Sequence, residues 1–147
     1  MTERSLLYTL VTTAKITQLF AVRFFNQHKT ADITFNQFEI LSALNEKEYY
    51  QRDLAKFLFK SNANLSKDLD VLEEKELIIR QTSTKNKRMV KVLTLTDAGK
   101  NVIKKIDRIA ENYINEVENI YTKEEFREFE KYLNRLKDKL GYVVNTI

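Results

Sequence analysis

The chain has 147 residues, of which 43% are hydrophobic and 31% charged, with a formal net charge of +4 and no cysteine. That length suits one domain burying roughly two-thirds of its unfolded surface, and the lack of thiols excludes disulfides, thiolate metal sites and thiol redox switches. His28 is the single histidine, and since zinc needs several converging ligands it reads as an ordinary helix-end residue, with no metal or cofactor expected.

With no proline and only Gly99 and Gly141 as breakers, long helices are the first expectation. Leu7, Leu10, Val11, Ala14, Ala21, Phe24 and Phe25 recur at mostly helical spacing between Leu6 and Phe25, which makes a long amphipathic first helix. No uninterrupted apolar run reaches the roughly 18 residues of a membrane span, and Met1 to Leu10, carrying Glu3 and Arg4, lacks the pattern of a signal peptide. A cytoplasmic protein without a membrane partner is therefore expected. Thr34 with Gln37 three residues on is a capping box, opening a second helix with Phe35, Phe38, Ile40, Leu41 and Leu44 as its apolar face. A short helix from Gln51 to about Phe59 follows, then a tight turn around Lys60 and Ser61. A further helix runs to about Lys75 with Leu65, Leu69 and Leu72 on one side, and two short helices joined this way are a helix-turn-helix.

Leu77–Gln81 and Met89–Leu95 read as strands separated by the polar loop Thr82 to Arg88, a β-hairpin that makes a wing. Thr96 begins a helix whose apolar positions Val102, Ile103, Ile106, Ala110, Tyr113, Ile114, Val117 and Tyr121 extend over about 25 residues. Thr122 with Glu125 caps a last helix carrying Phe126, Phe129, Tyr132, Leu133, Leu136 and Leu140. The expected fold is mainly α with a small β-wing. It comprises a winged helix-turn-helix region at about 34–97 and a dimerisation layer of N- and C-terminal helices at about 4–28 and 98–146, whose apolar stripes outrun what the winged region can cover.

From Leu77 to Leu95 the chain contains Arg80, Lys85, Lys87, Arg88 and Lys91 and no acidic residue. A basic hairpin suits a phosphate backbone or a minor groove, although lysines also serve to protect a solvated sheet edge. On the preceding helix, a step of 100° per residue places Ala63, Lys67, Asp70 and Glu74 opposite the leucines, with Asn64, Ser66 and Val71 flanking. Its start, including Ser61, Asn62, Asn64, Ser66 and Lys67, is small and polar, as a major groove requires. Acidic residues gather toward its other end, so it would enter a groove N-terminus first. An unengaged surface helix is the alternative.

The phrases ITFNQFEILSAL, RDLAKFL, NLSKDLDVLEEKELIIR, the KNKR tip and LTLTDAG together resemble the MarR family of bacterial winged helix-turn-helix regulators. The resemblance covers about half the chain by motif and nearly all of it by helix order. It implies that Ser66 and Lys67 stand at the family's Thr-Arg pair on the recognition helix, Arg88 at the wing arginine, and Arg80 at a position that is usually basic. The chain departs from the family in having Glu76 where a glycine commonly ends that helix, and Asn86 and Lys87 where an Asp precedes the arginines. It also has about one extra residue before Leu95-Thr96, which a bulge near Leu93 would absorb.

No positioned nucleophile with a base, and no Gly-rich phosphate loop, speaks for an enzyme. The implied function is a homodimeric regulator, a repressor, that binds a pseudo-palindromic operator in double-stranded DNA; a winged-helix protein-interaction module without specific DNA binding is the competing class. The family also implies release by a small aromatic or anionic effector, for which Phe20, Arg23, Phe24, Phe35 and Phe38 are the candidate pocket and Arg23 the anion contact.

Overall fold

A computed structural model describes residues 3–146. In chain order these form α1 (Glu3–His28), α2 (Phe35–Glu46), β1 (Tyr49–Tyr50), α3 (Gln51–Phe57), α4 (Asn62–Glu74), β2 (Ile78–Lys85), β3 (Arg88–Leu95), α5 (Asp97–Glu118) and α6 (Lys123–Thr146). The caps sit where the sequence places them. The Thr34 hydroxyl accepts from the Gln37 N–H at 3.2 Å while the Gln37 side chain accepts from the Thr34 N–H at 3.1 Å. Thr96 caps α5 by accepting from the Gly99 N–H, and Thr122 and Glu125 exchange the same pair of bonds at α6. The bond from the Thr122 N–H, then that from its hydroxyl, holds the Glu125 carboxyl below its ordinary range.

The three strands form one antiparallel sheet in the order β1-β3-β2. The wing differs from its expected form. The polar stretch Thr82 to Arg88 is not a loop: both strands continue to a two-residue turn at Asn86-Lys87, whose φ angles of 50° and 63° match a type I′ turn. Register runs unbroken from Ile78 opposite Leu95 to Lys85 opposite Arg88, with no bulge at Leu93. The outer ribbon has solvent on both faces, so its polarity carries no strand alternation to read.

Glu76, standing where a glycine is common, nevertheless takes the left-handed conformation at φ 57°. The Glu76 N–H donates to the Glu73 carbonyl and the Leu77 N–H to the Leu72 carbonyl, both at 2.9 Å, which is a Schellman end with Leu72 and Leu77 both buried. Helix α3 ends the same way, with Phe59 at φ 53° and the Lys60 N–H donating to the Ala55 carbonyl.

The core is assembled by the winged region. Ile33, Ile40, Leu41, Leu44, Leu54, Leu65, Leu69, Leu72, Leu77, Ile78 and Leu93 are buried, joined by Phe25 from α1 and by Val102, Ile103 and Ile106 from α5. Outside this core the apolar faces are open: Tyr113, Ile114 and Val117 of α5, Leu7, Ile16 and Leu19 of α1, and Phe129, Leu133 and Leu140 of α6 are exposed. Helix α1 is also apolar enough by length and composition to cross a membrane, an 18-residue window within Ser5–His28 averaging a hydropathy of 1.2. The expectation from uninterrupted runs missed this, because Thr9, Thr12, Thr13 and Thr17 break the run while lowering the mean little, and Lys15 and Gln18 are outweighed by the aliphatic residues around them.

Gly99 packs against the end of β3. A methyl there would collide with the Leu77 carbonyl oxygen and lie 2.6 Å from Leu95 Cδ1. Because a backbone carbonyl cannot yield as a side chain does, Gly99→Ala is expected to cost about 1 to 3 kcal/mol of stability. Denaturant unfolding checks this, and an unchanged midpoint would contradict it.

Candidate nucleic-acid interface

Helix α4 buries Leu65, Leu69 and Leu72 and turns Asn62, Ala63, Asn64 and Lys67 to solvent, with Ser66 half-buried beside them. Its N-cap is Ser61, whose side chain accepts from the Asn64 N–H at 3.2 Å, so one lone pair of that hydroxyl serves the helix. Acidic residues are absent from the first turn. The positive end of the helix dipole and the free N–H groups there favour an anion.

Two side chains fix how α4 leans on the rest. Gln37, almost fully buried, donates from Nε2 to Asp68 Oδ1 at 3.3 Å, and Asp68 meets Lys60 Nζ at 3.8 Å. The capping residue of α2 is thereby tied to α4 and to the turn between α3 and α4. Lys60 is correspondingly drawn inward, its side chain 16% exposed.

The basic residues of the sequence segment 77–95 separate into distinct settings. Lys87 and Arg88 lie exposed at the ribbon tip. Lys85, also expected to meet DNA, has its ammonium 4.3 Å from the centre of the Tyr50 ring. Arg80 is not a free cation. Its Nε donates to Glu73 Oε2 at 2.7 Å, one terminal nitrogen donates to Asp70 at 2.6 Å and also to Glu73, and its side chain is 15% exposed. Hydrogen bonding to Glu73 outweighs the opposing desolvation and, with the bond to Asp70, raises the guanidinium above its ordinary value. Two of the carboxylates at the acidic end of α4 are thus partners of the wing's first strand.

Two cations missed in the sequence reading join this surface. Arg52 and Lys56, exposed on α3 at an i, i+4 spacing, line a groove of about 430 Å³ with Lys60, Ser61 and Asn62. Their spacing opposite buried Leu54 and Ala55 was a readable signal.

The expected effector pocket divides in two. Phe20, Arg23 and Phe24 line an open cleft of about 310 Å³ with Ile16, Leu19, Gln27 and Tyr113. Phe35 and Phe38 lie elsewhere, packed on Phe25 with ring centres 5.9 and 4.9 Å away. Adjacent positions on α1 differ by 100°, so Phe24 and Phe25 serve different groups.

The Arg80 clamp separates a structural role from contact with a ligand. Arg80→Ala is expected to lower stability by about 1 kcal/mol, a charge-assisted pair discounted for the exposure of Asp70 and Glu73, while leaving the salt dependence of nucleic-acid binding unchanged. Denaturant unfolding and binding titrations across salt concentrations check both halves. A slope lowered with stability intact would make Arg80 a phosphate contact instead.

Residues 33–90 match the MarR family. The fold is shared with the transcriptional regulator BldR from Sulfolobus solfataricus at 26% identity, covering 92% of this chain and 99% of that one with a TM-score of 0.69. It is shared also with Sco3205, a MarR family transcriptional regulator from Streptomyces coelicolor in complex with DNA, at 18% identity, 94% and 87% coverage and a TM-score of 0.75. NadR in complex with 4-hydroxyphenylacetate aligns at 22% identity over 88% of this chain and 89% of that chain, with a TM-score of 0.73. The family match spans α2, α3, α4, β2 and the start of β3, and the architecture shared with these regulators extends over nearly all of the chain: its winged helix-turn-helix region is similar to that of the MarR family.

Proposed function

We propose that this chain is a sequence-specific DNA-binding regulator of transcription, a repressor that acts as a homodimer on an inverted-repeat operator. One observation carries the reading: the exposed start of α4, small, polar and free of carboxylates, stands beside a basic ribbon whose tip cations are uncommitted. A helix of this kind fits a major groove, where Asn64 suits an adenine edge and Lys67 a guanine edge or phosphate. Lys87 and Arg88 at the ribbon tip suit phosphates or an adjacent minor groove. Ser61, Asn62, Arg52 and Lys56 then follow the backbone at the flank of α4. The neighbour of known structure that holds DNA supports this use of the fold.

The apolar faces that the protomer leaves open on α1, α5 and α6 support a homodimer. A second copy covers them and gives two-fold symmetry, which matches an inverted repeat. An effector fits the open cleft whose lining includes Arg23 and the mutually packed rings of Phe20, Phe24 and Tyr113, their centres 5.2 to 6.2 Å from one another. The fold neighbour that holds an aromatic carboxylate supports that ligand class.

Substitutions separate base reading from phosphate contact. Asn64→Ala and Lys67→Ala are expected to change which bases are preferred, each by about 1 to 3 kcal/mol. Lys87→Ala and Arg88→Ala are expected to weaken binding to all sequences and to lower the salt slope by about one unit each. If all four folded variants bind DNA like the parent, the winged region serves a protein partner instead.

For the dimer, Leu133→Asp is the test variant, because Leu133 is 42% exposed in the protomer and its loss costs that fold little. Burying an unpaired carboxylate in an interface costs several kcal/mol. Sedimentation is expected to show a parent dimer and a folded monomeric variant. A monomeric parent at micromolar concentration would contradict the assignment.

A further inference from the structure

The outer half of the wing lacks a third strand. Strand β1 pairs with β3 only at Leu93 and Val92, so residues 82–91 project as a two-stranded ribbon that is exposed on nearly every side. Two-stranded hairpins of this kind are marginal in water unless something else holds them. Among the described residues, no side-chain hydrogen bond or ion pair runs from 82–91 to the rest of the domain; the contact that does so is Lys85 Nζ over the Tyr50 ring, 4.3 Å from its centre.

Register explains why this pair can meet. Tyr50 stands opposite Val92, and side chains alternate along a strand, so Tyr50, Val92, Val90, Arg88 and Lys85 share one face of the sheet. About 13 Å of β3 separates the level of Tyr50 from that of Lys85, which the two long side chains bridge from opposite ends. Lys85 and Arg88 are also direct cross-strand partners, and like charges so placed repel. Parking the Lys85 ammonium on the ring draws one of the two cations away from the other.

We propose that Tyr50 is a positioning residue for the wing: its ring holds the Lys85 ammonium, sets the tilt of the ribbon against the start of α3, and leaves Arg88, with Lys87 of the turn, as the tip cations offered to DNA. This rests on the DNA-binding reading, and it removes Lys85 from the phosphate contacts. An exposed cation–π contact of this class changes an equilibrium about two- to fivefold.

The test measures binding of random-sequence DNA duplexes across salt concentrations for Tyr50→Leu, Tyr50→Phe, Lys85→Gln and the Tyr50→Leu/Lys85→Gln double variant. Hydrogen exchange of the 82–91 amides in the free proteins accompanies it. Tyr50→Leu and Lys85→Gln are each expected to weaken binding about two- to fivefold at unchanged salt slope. The double variant should be no weaker than either single one, Tyr50→Phe should resemble the parent, and ribbon exchange should quicken in both disruptive single variants. A salt slope lowered by about one unit in Lys85→Gln, together with a neutral Tyr50→Leu, would overturn the proposal and make Lys85 a phosphate contact while DNA binding stands. Should the parent show no salt-dependent binding, the DNA reading itself fails; unchanged exchange in Tyr50→Leu would then overturn the Tyr50 hold as well.

Discussion

Where α4 ends, Glu76 bends the chain into the left-handed region and Leu77 turns straight into β2; at that point β3 returns and α5 begins. The Thr96 hydroxyl donates to the Glu76 carbonyl at 2.8 Å, the Thr96 N–H donates to the Leu77 carbonyl at 3.2 Å, and Gly99 presses against that same carbonyl. Four elements thereby share one backbone junction, closed by hydrogen bonds and by a glycine whose missing side chain permits the approach. Both elements that would read DNA, α4 and the ribbon, leave from it at angles it fixes. The Arg80 clamp to Asp70 and Glu73 reinforces the geometry a few ångströms on, by tying β2 back to α4. A left-handed glutamate carries a cost of about 1 kcal/mol or more, which the paired carbonyls and the buried Leu72–Leu77 contact offset.

The junction also connects the winged region to the apolar layer. Helix α5 runs unbroken for 22 residues from Thr96, about 33 Å, with its first turns inside the core and its far end exposed. Helix α5 therefore links the exposed apolar layer directly to the junction from which α4 and the ribbon leave. Asp107 stands where the buried and exposed parts of α5 meet. Desolvation, with a smaller contribution from Glu46, raises its carboxyl above the ordinary range.

Much of this was legible in the sequence because helices announce themselves by caps and by period. Thr34 with Gln37, Thr96, and Thr122 with Glu125 mark starts that are local in the chain, and Leu65, Leu69 and Leu72 mark a buried face by spacing alone. What escaped the sequence is set by partners distant in the chain. Arg80 reads as one more wing cation until Asp70 and Glu73, on another element, are seen to claim it. Tyr49 and Tyr50 form a strand only because β3 passes beside them, and two residues have no period. The wing turn was misplaced because threonine and lysine on a doubly solvated ribbon look like a loop, and the aromatic pocket because Phe24 and Phe25 diverge around α1.

The central claim is that two copies of this winged region read DNA together, each placing the start of α4 in a major groove. Selection of bound duplexes from a random DNA pool tests it most directly. The account predicts an enriched inverted repeat whose half-site centres lie about one helical turn, or a multiple of it, apart. A pool with no enriched sequence, or one enriched in a single unrepeated site, would contradict it.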